Sequence, residues 1–151
     1  MGLIVNRQVT GLDLATMSKH LGISAPRFHS DAPIHMGGPV DASRGIVLHS
    51  TDHVLPESIM VGDVVAMTAH IRIVNQIARG KGPSDFIIAL GHANWSARQL
   101  DEELRNNIWL TVPFSHDLVF SEDDAKNDQW LECYARLGIA VSHFSGQIGH
   151  A

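Results

Sequence analysis

The apolar positions of this chain change their period several times, and each change marks an element. Leu3, Ile4 and Val5 are consecutive, which predicts a buried strand within Met1–Val9. The period then lengthens: Leu14, Met17 and Leu21 share a helical face, behind a weak capping box of Thr10 and Asp13 and ahead of Gly22, a suitable stop. Ser24–Pro33 has turn residues without a period and reads as a loop. A β-rich block follows. Ile34–Val40 and Arg44–Ser50 flank Asp41-Ala42-Ser43 as the arms of a hairpin, and Ser58–Val61 with Val64–Thr68 flank Gly62-Asp63 as another. Ile73, Val74 and Ile77 predict a helix stopped near Gly80.

Asp85–Leu90 carries the continuous run Phe86, Ile87, Ile88, Ala89, which suits a central strand covered on both faces, with Phe86, Ile88 and Leu90 in the core. Ser96 with Gln99 is a good capping box, and Leu100, Leu104 and Ile108 continue at helical spacing. Leu110–Phe114 and Leu118–Phe120 read as short strands. Ser121 and the acids Glu122, Asp123 and Asp124 suit the start of a last helix, with Trp130, Leu131, Tyr134 and Leu137 as its stripe and Gly138 as its end. Hairpins mixed with isolated helices predict an α+β fold, with a mixed, mostly antiparallel sheet and about four helices around it. The 151 residues fit a single domain spanning 1–151.

Composition bears on function more than on fold. No apolar run approaches the ~18 residues that span a bilayer, and no signal-peptide pattern opens the chain, so no membrane association is expected. Cys133 is the single cysteine and has no internal disulfide partner, in keeping with a reducing, cytoplasmic location. The formal net charge is −5, and the eleven Lys and Arg residues are scattered. Nucleic-acid domains draw most of their affinity from a basic face, so specific DNA binding at physiological salt is not expected.

Ten histidines are many for this length. His49 and His53 lie at i,i+4, which on a helix can hold a metal from one face. Here His49 closes a strand, Ser50-Thr51-Asp52 reads as a turn, and no Glu follows the first His, so a structural or surface role is preferred. His29 and His35 converge on His49 only if the adjacent hairpin brings them there. Cys133, near Trp130 and Tyr134, reads as a buried structural thiol. Ser142-His143-Phe144-Ser145-Gly146 has the residue types of acyl transfer without its strand-to-helix elbow. Gly80-Lys81-Gly82-Pro83-Ser84 lacks the spacing of a phosphate loop and precedes a strand, so a surface turn is preferred. No cofactor and no metal site is indicated.

Two glycine-rich segments are more informative. Gly37-Gly38-Pro39 interrupts a β segment, which marks a bend or a close backbone approach and suits either a barrel corner or a ligand floor. Gly91-His92-Ala93-Asn94-Trp95 joins the apolar strand to the best-capped helix, as an anion-binding turn or simply a compact one.

These segments also carry a resemblance. Met1-Gly2-Leu3-Ile4-Val5-Asn6, Gly37-Gly38-Pro39-Val40, Arg44-Gly45 with Leu48-His49, and Gly91-His92-Ala93 with Trp95 resemble the AlgH/YqgE family of bacterial proteins. Gln99-Leu100, Glu103, Asn107, Trp109-Leu110, Pro113, Trp130, Leu137-Gly138-Ile139 and Gly149-His150-Ala151 continue the pattern in order. Arg98 stands where the family usually has Gly, and Ala140 where an acidic residue is frequent. The resemblance implies an α+β fold with a strongly bent, barrel-like sheet, and the label of transcriptional regulator, without a DNA-binding motif or an established catalytic residue. It also implies a strand-rich segment ahead of the Met1-Gly2-Leu3 motif. Without that segment, an open sheet edge beside Gly2–Val5 is expected, covered in a homo-oligomer or left loosely packed.

The function that follows is a small non-enzymatic binding or regulatory protein, acting through a small ligand or a protein partner. A hydrolase using His and carboxylates in a cleft is one alternative, and a direct DNA regulator another. The candidate ligand residues are Asn6, Gly37, Gly38, Arg44, His49, His92 and Trp95, expected around one concavity, with fold-determining turns as the competing account. A largely apolar pocket with a few convergent polar groups would favour ligand binding; clustered groups of perturbed pKa would favour an enzyme.

Overall fold

A strand that is apolar at consecutive positions is stable only with cover on both of its faces. The computed structural model, which describes residues 1–23, 26–120 and 128–140, supplies that cover for Phe86–Leu90. In chain order the elements are β1 (Gln8–Asp13), α1 (Leu14–His20), β2 (Pro33–Met36), β3 (Val40–Ser50), β4 (Ile59–Val61), β5 (Val65–Thr68), α2 (Ile71–Ile77), β6 (Phe86–His92), α3 (Gln99–Arg105), α4 (His116–Phe120) and α5 (Asp128–Arg136). The strands form one sheet in the order β1-β2-β6-β3-β5-β4. β2 and β6 run parallel, and every other neighbouring pair is antiparallel. β6 lies inside the sheet, with Ile87, Ile88 and Ala89 all buried.

The chain gathers into two compact units, Met1–Leu100 and Asp101–Ala151. In the first, α1 and α2 pack on one sheet face, where Leu14, Met17, Ile34, Val47, Ile73 and Ile88 belong to one buried cluster. Phe86 and Leu90 are partly buried against it. In the second unit the Trp109 indole N–H donates to Glu103 at 2.6 Å. The Gln129 amide donates to the Leu118 carbonyl at 3.0 Å. No helix among the described residues is long and apolar enough to cross a membrane.

Several expectations require correction. The sheet is not barrel-like: β1 and β4 end the order with one strand neighbour each, so it is open. Closure needs end strands able to pair with each other, and β4 has only three residues. The described residues contain five helices rather than about four. The extra one is α4, where Leu118–Phe120 was expected as a strand; Val119 N–H donates to the Ser115 carbonyl at 3.2 Å, which closes a helical turn. Leu110–Phe114 also forms no strand.

The hairpin expected around Asp41-Ala42-Ser43 does not exist. β3 continues through those residues, with an irregular register between Val40 and Gly45, and β6 lies between β2 and β3. The Met1–Val9 strand reduces to a single bridge between Gly2 and Ala93, with the regular strand beginning only at Gln8. The cap of α1 is Asp13, whose carboxylate accepts from Thr16 N–H at 2.7 Å, rather than Thr10. The Gly62-Asp63 hairpin and the stop at Gly138 stand as read. Of the Ser96–Gln99 capping box only half forms: Gln99 Oε1 accepts from Ser96 N–H at 3.0 Å, but Arg98 has φ +68 and the helix begins at Gln99. The expected helix start at Ser121-Glu122-Asp123-Asp124, Ser24, the segment Ser142–Gly146 and the terminal Gly149-His150-Ala151 lie outside the described residues.

Ile88 is 1% exposed at the middle of the core cluster. Ile88→Ala is expected to lower the unfolding free energy by about 2–5 kcal/mol, read from urea denaturation. A loss below ~1 kcal/mol would show that this cluster is not the centre of stability.

Candidate functional site

Alternation along β3 puts Ser43, Gly45 and Val47 on one face of the sheet. Register places Gly45 beside Leu90 and Val47 between Ile88 of β6 and Thr68 of β5. α1 does not cover this end of the face completely. A pocket of about 340 Å³ remains, walled by Met17 and Leu21 on one side, Val47 and Leu90 on the floor, and Ile71 and Val74 on the other side. That volume falls within the range of ~300–1,000 Å³ usual for small-molecule sites.

The polar groups of the pocket are few: Ser43, Thr68, His20 and His70. His70 caps α2, and its Nδ1 accepts the Arg72 N–H at 3.2 Å. That nitrogen therefore carries a lone pair, and the proton of the neutral ring sits on Nε2. His20 Nδ1 lies 2.8 Å from the Thr16 carbonyl, which can only accept, so Nδ1 holds the proton and Nε2 is left for other partners. No Lys, Arg, Asp or Glu lines the pocket.

Beneath it lies a relay. His49 Nδ1 donates to the Ser50 carbonyl at 2.8 Å, so Nε2 of the neutral ring accepts from Thr68 Oγ1 at 2.9 Å. Thr68 Oγ1 in turn accepts from Ser58 Oγ at 2.6 Å, and Ser58 Oγ accepts from Leu55 N–H at 2.9 Å. Burial pushes the His49 pKa below its ordinary 6.5, against the opposing pull of the Ser50 carbonyl, which keeps the ring neutral. Hydroxyl, imidazole and carbonyl are thus arranged as in a nucleophile–base pair with an orienting acceptor. Both Thr68 and His49 are 0% exposed, however, and although Thr68 lines the pocket its hydroxyl is already bonded to His49 and Ser58, which counts against attack on a substrate.

A neighbouring cluster ties β3 to the start of β6. Asp52 accepts from Ser50 Oγ, Ser84 Oγ and Ser84 N–H, and these bonds, the two hydroxyls first, hold its pKa at about 2.

The seven residues singled out from sequence fall into separate places. Gly37, Gly38 and His92 come together, since a Cβ on Gly37 would lie 2.3 Å from the Gly91 carbonyl oxygen and one on Gly38 2.2 Å from the His92 carbonyl carbon. Trp95 joins them through Gly2, whose Cβ would lie 3.1 Å from the indole ring. Asn6 is half-buried on the segment that runs past Gly37, where Ile4 N–H meets the Gly37 carbonyl at 2.9 Å. Arg44 is exposed on β3. His49 pairs with Phe86 at the far end of β6, six residues from His92, or about 20 Å. None of the seven lines the pocket. Of the other histidines, the His29 ring meets the Phe86 ring edge-on at 5.2 Å, and His35 sits beside Ala89. Among the described residues no group of three or more His, Cys, Asp or Glu is placed to hold a metal ion.

Residues 1–142 match the family described as AlgH-like. The chain belongs to the AlgH-like family. A UPF0301 protein of Rhodospirillum rubrum is 40% identical over 151 residues, covering 100% of this chain and 78% of that one. One from Thioalkalivibrio sulfidiphilus is 38% identical, covering 100% of this chain and 80% of the relative. The solution structure of the AlgH protein from Pseudomonas aeruginosa superposes with a TM-score of 0.76 at 35% identity, covering 100% of this chain and 79% of that chain. A Corynebacterium diphtheriae protein, at 18% identity and a TM-score of 0.51 over 64% of this chain and 53% of that chain, shares the fold alone.

In this AlgH-like chain the pocket residues were missed from sequence because they come from six elements and form no motif. The one signal was Gly45, a lone glycine within a strand. His49 yields a test. Its folded pKa lies below the unfolded 6.5, so the unfolded chain binds the proton first. The stability it contributes is present above pH 6.5 and is lost as pH falls below 6.5 through the lower folded value. His49→Gln should be less stable at neutral pH but lack that part of the acid-side decline in urea midpoint. Identical slopes in the two proteins would show that His49 is not buried neutral. Thr68→Val, which strands His49 Nε2 and Ser58 Oγ, should cost about 1–3 kcal/mol.

Proposed function

We propose that this AlgH-like protein binds a small, largely apolar ligand in the pocket between α1, β3 and the start of α2, and that it acts by binding rather than by catalysis. One observation carries the reading: a pocket of about 340 Å³ with aliphatic walls, four polar residues and no ionised carboxylate, ammonium or guanidinium in its lining. Apolar walls with a few convergent polar groups are the usual make-up of ligand sites. A regulatory role follows if occupancy changes what the protein contacts. The hydrolase reading has the Thr68–His49 pair in its favour, but the burial of both groups counts against it.

A screen of small apolar and amphiphilic molecules by thermal shift, with hits mapped by methyl NMR, tests the proposal. A ligand at about a hundred times its Kd adds about 2.7 kcal/mol to stability. The expected hits perturb the methyls of Val47, Val74 and Ile88. Hits that map only elsewhere, or turnover of an ester substrate that Thr68→Val abolishes, would overturn it.

A further inference from the structure

The identity of the ligand rests on that reading and is carried by two further observations. The first is Gly45. A glycine inside a strand weakens it and needs a reason. Gly37, Gly38 and Gly91 have one, since a Cβ at each would lie 2.2 to 2.5 Å from a neighbouring backbone atom. Gly45 has no such reason. Its φ is not positive, and a Cβ there would meet nothing within 4 Å. A side chain at 45 would stand on the face that carries Val47 and Thr68, where the pocket is. Gly45 is itself exposed and lines the pocket, so the room it leaves lies at the pocket's open end.

The second observation is the chemistry of the walls. They are aliphatic, with Leu12, Met17, Leu21, Val74 and Leu90 among them, and no Phe, Tyr or Trp. A flat aromatic ligand would find only the two imidazoles, and no Phe, Tyr or Trp, to stack on. A phosphate or dicarboxylate would find no Lys or Arg to neutralise it. A flexible hydrocarbon chain fits such walls, and one polar head is all that Ser43, His20 and His70 can serve. Thr68 is already committed to His49 and Ser58.

We propose that the pocket takes a straight-chain aliphatic alcohol, whose hydroxyl can donate to His20 Nε2 and accept from His70 Nε2–H, and that Gly45 keeps room for its chain at the pocket's open end.

The test is a titration of the full chain with straight-chain alcohols and matching carboxylates of increasing length, followed by calorimetry and by the methyl signals of Val47 and Val74. Affinity should rise about fourfold per methylene until the pocket is full and then level off. At equal chain length the alcohols should bind more tightly than the carboxylates, and the reverse order would overturn the head-group assignment. Gly45→Val should keep or raise the melting temperature of the free protein. It should also weaken the longest accepted chain by more than about tenfold, the worth of roughly two methylenes. Val74→Ala enlarges the same pocket from the opposite wall and should lengthen the best-bound chain; it keeps the proposal open to test if Gly45→Val does not fold. Flat aromatics or nucleotides binding in the pocket while straight chains do not would overturn this assignment and leave the ligand-binding reading standing. Failure of every class of small molecule to move the pocket methyls would overturn both. Gly45→Val and Val74→Ala that bind every chain as the wild type does would remove the role of the pocket's dimensions.

Discussion

The chain leaves β2 on one side of β6 and enters β3 on the other, and it has only Gly37, Gly38 and Pro39 with which to make the crossing. Strands flanking a common neighbour stand about 10 Å apart, and four Cα-to-Cα steps reach at most about 14 Å. The link therefore has no slack to arch away and is pressed onto the backbone of β6 at Gly91 and His92. A Cβ on any of Gly37, Gly38 or Gly91 would occupy space already held by backbone. Gly91 also has φ +73, which a side chain would strain. Without this crossing β2 and β3 would pair as an ordinary hairpin, and β6 would have no place between them.

The rest of the first unit follows from that insertion. β6 gains partners on both sides, so its backbone is paired along both edges, and Ile87, Ile88 and Ala89 within it are buried. β3 meets β6 immediately after the link, and from Val40–His92 to Gly45–Leu90 it spends five residues against two on β6. Extra residues on one strand bend it and increase its twist. Ser43 lies within that irregular stretch, and Gly45 stands where regular pairing resumes. The pocket opens at this place because the bent strand offers no side chain at 45 to fill the space left by α1 and α2. Farther along the same face, Val47 and Ile88 close into the continuous core.

Sequence pattern revealed those parts that depend on local chemistry. The run at Phe86–Leu90, the Gly62-Asp63 hairpin and the stop at Gly138 each state their own conformation within a few residues. The position of β6 between β2 and β3 did not show, because two apolar arms around Asp41-Ala42-Ser43 look like a hairpin until a third strand competes for both. Leu110–Phe114 and Leu118–Phe120 were misread for a related reason: a short apolar run does not say whether a strand partner exists. The glycine motifs pointed to a place where backbones approach closely, and Gly37, Gly38 and His92 do meet there. Motif alone could not separate that crossing from a binding floor. The pocket had no motif, since Met17, Gly45, Thr68, His70 and Leu90 are distant in sequence and share only a location.

The relay beneath the pocket shows how a constellation of catalytic residue types can serve stability. Every polar atom in it has a defined direction: the Ser50 carbonyl fixes the proton on His49 Nδ1, which makes Nε2 an acceptor for Thr68, which leaves Thr68 to accept from Ser58. A general base must be able to take a proton near neutral pH, and burial moves His49 the other way. An attacking hydroxyl must also present a lone pair to a substrate, and Thr68 Oγ1 is enclosed between an imidazole and a serine. What the relay does achieve is to join β3, β5 and the turn before β4 through polar atoms that would each be costly to bury unpaired. Thr68 is both a link in that relay and a wall of the pocket, so that wall is held in place by bonds within the protein itself.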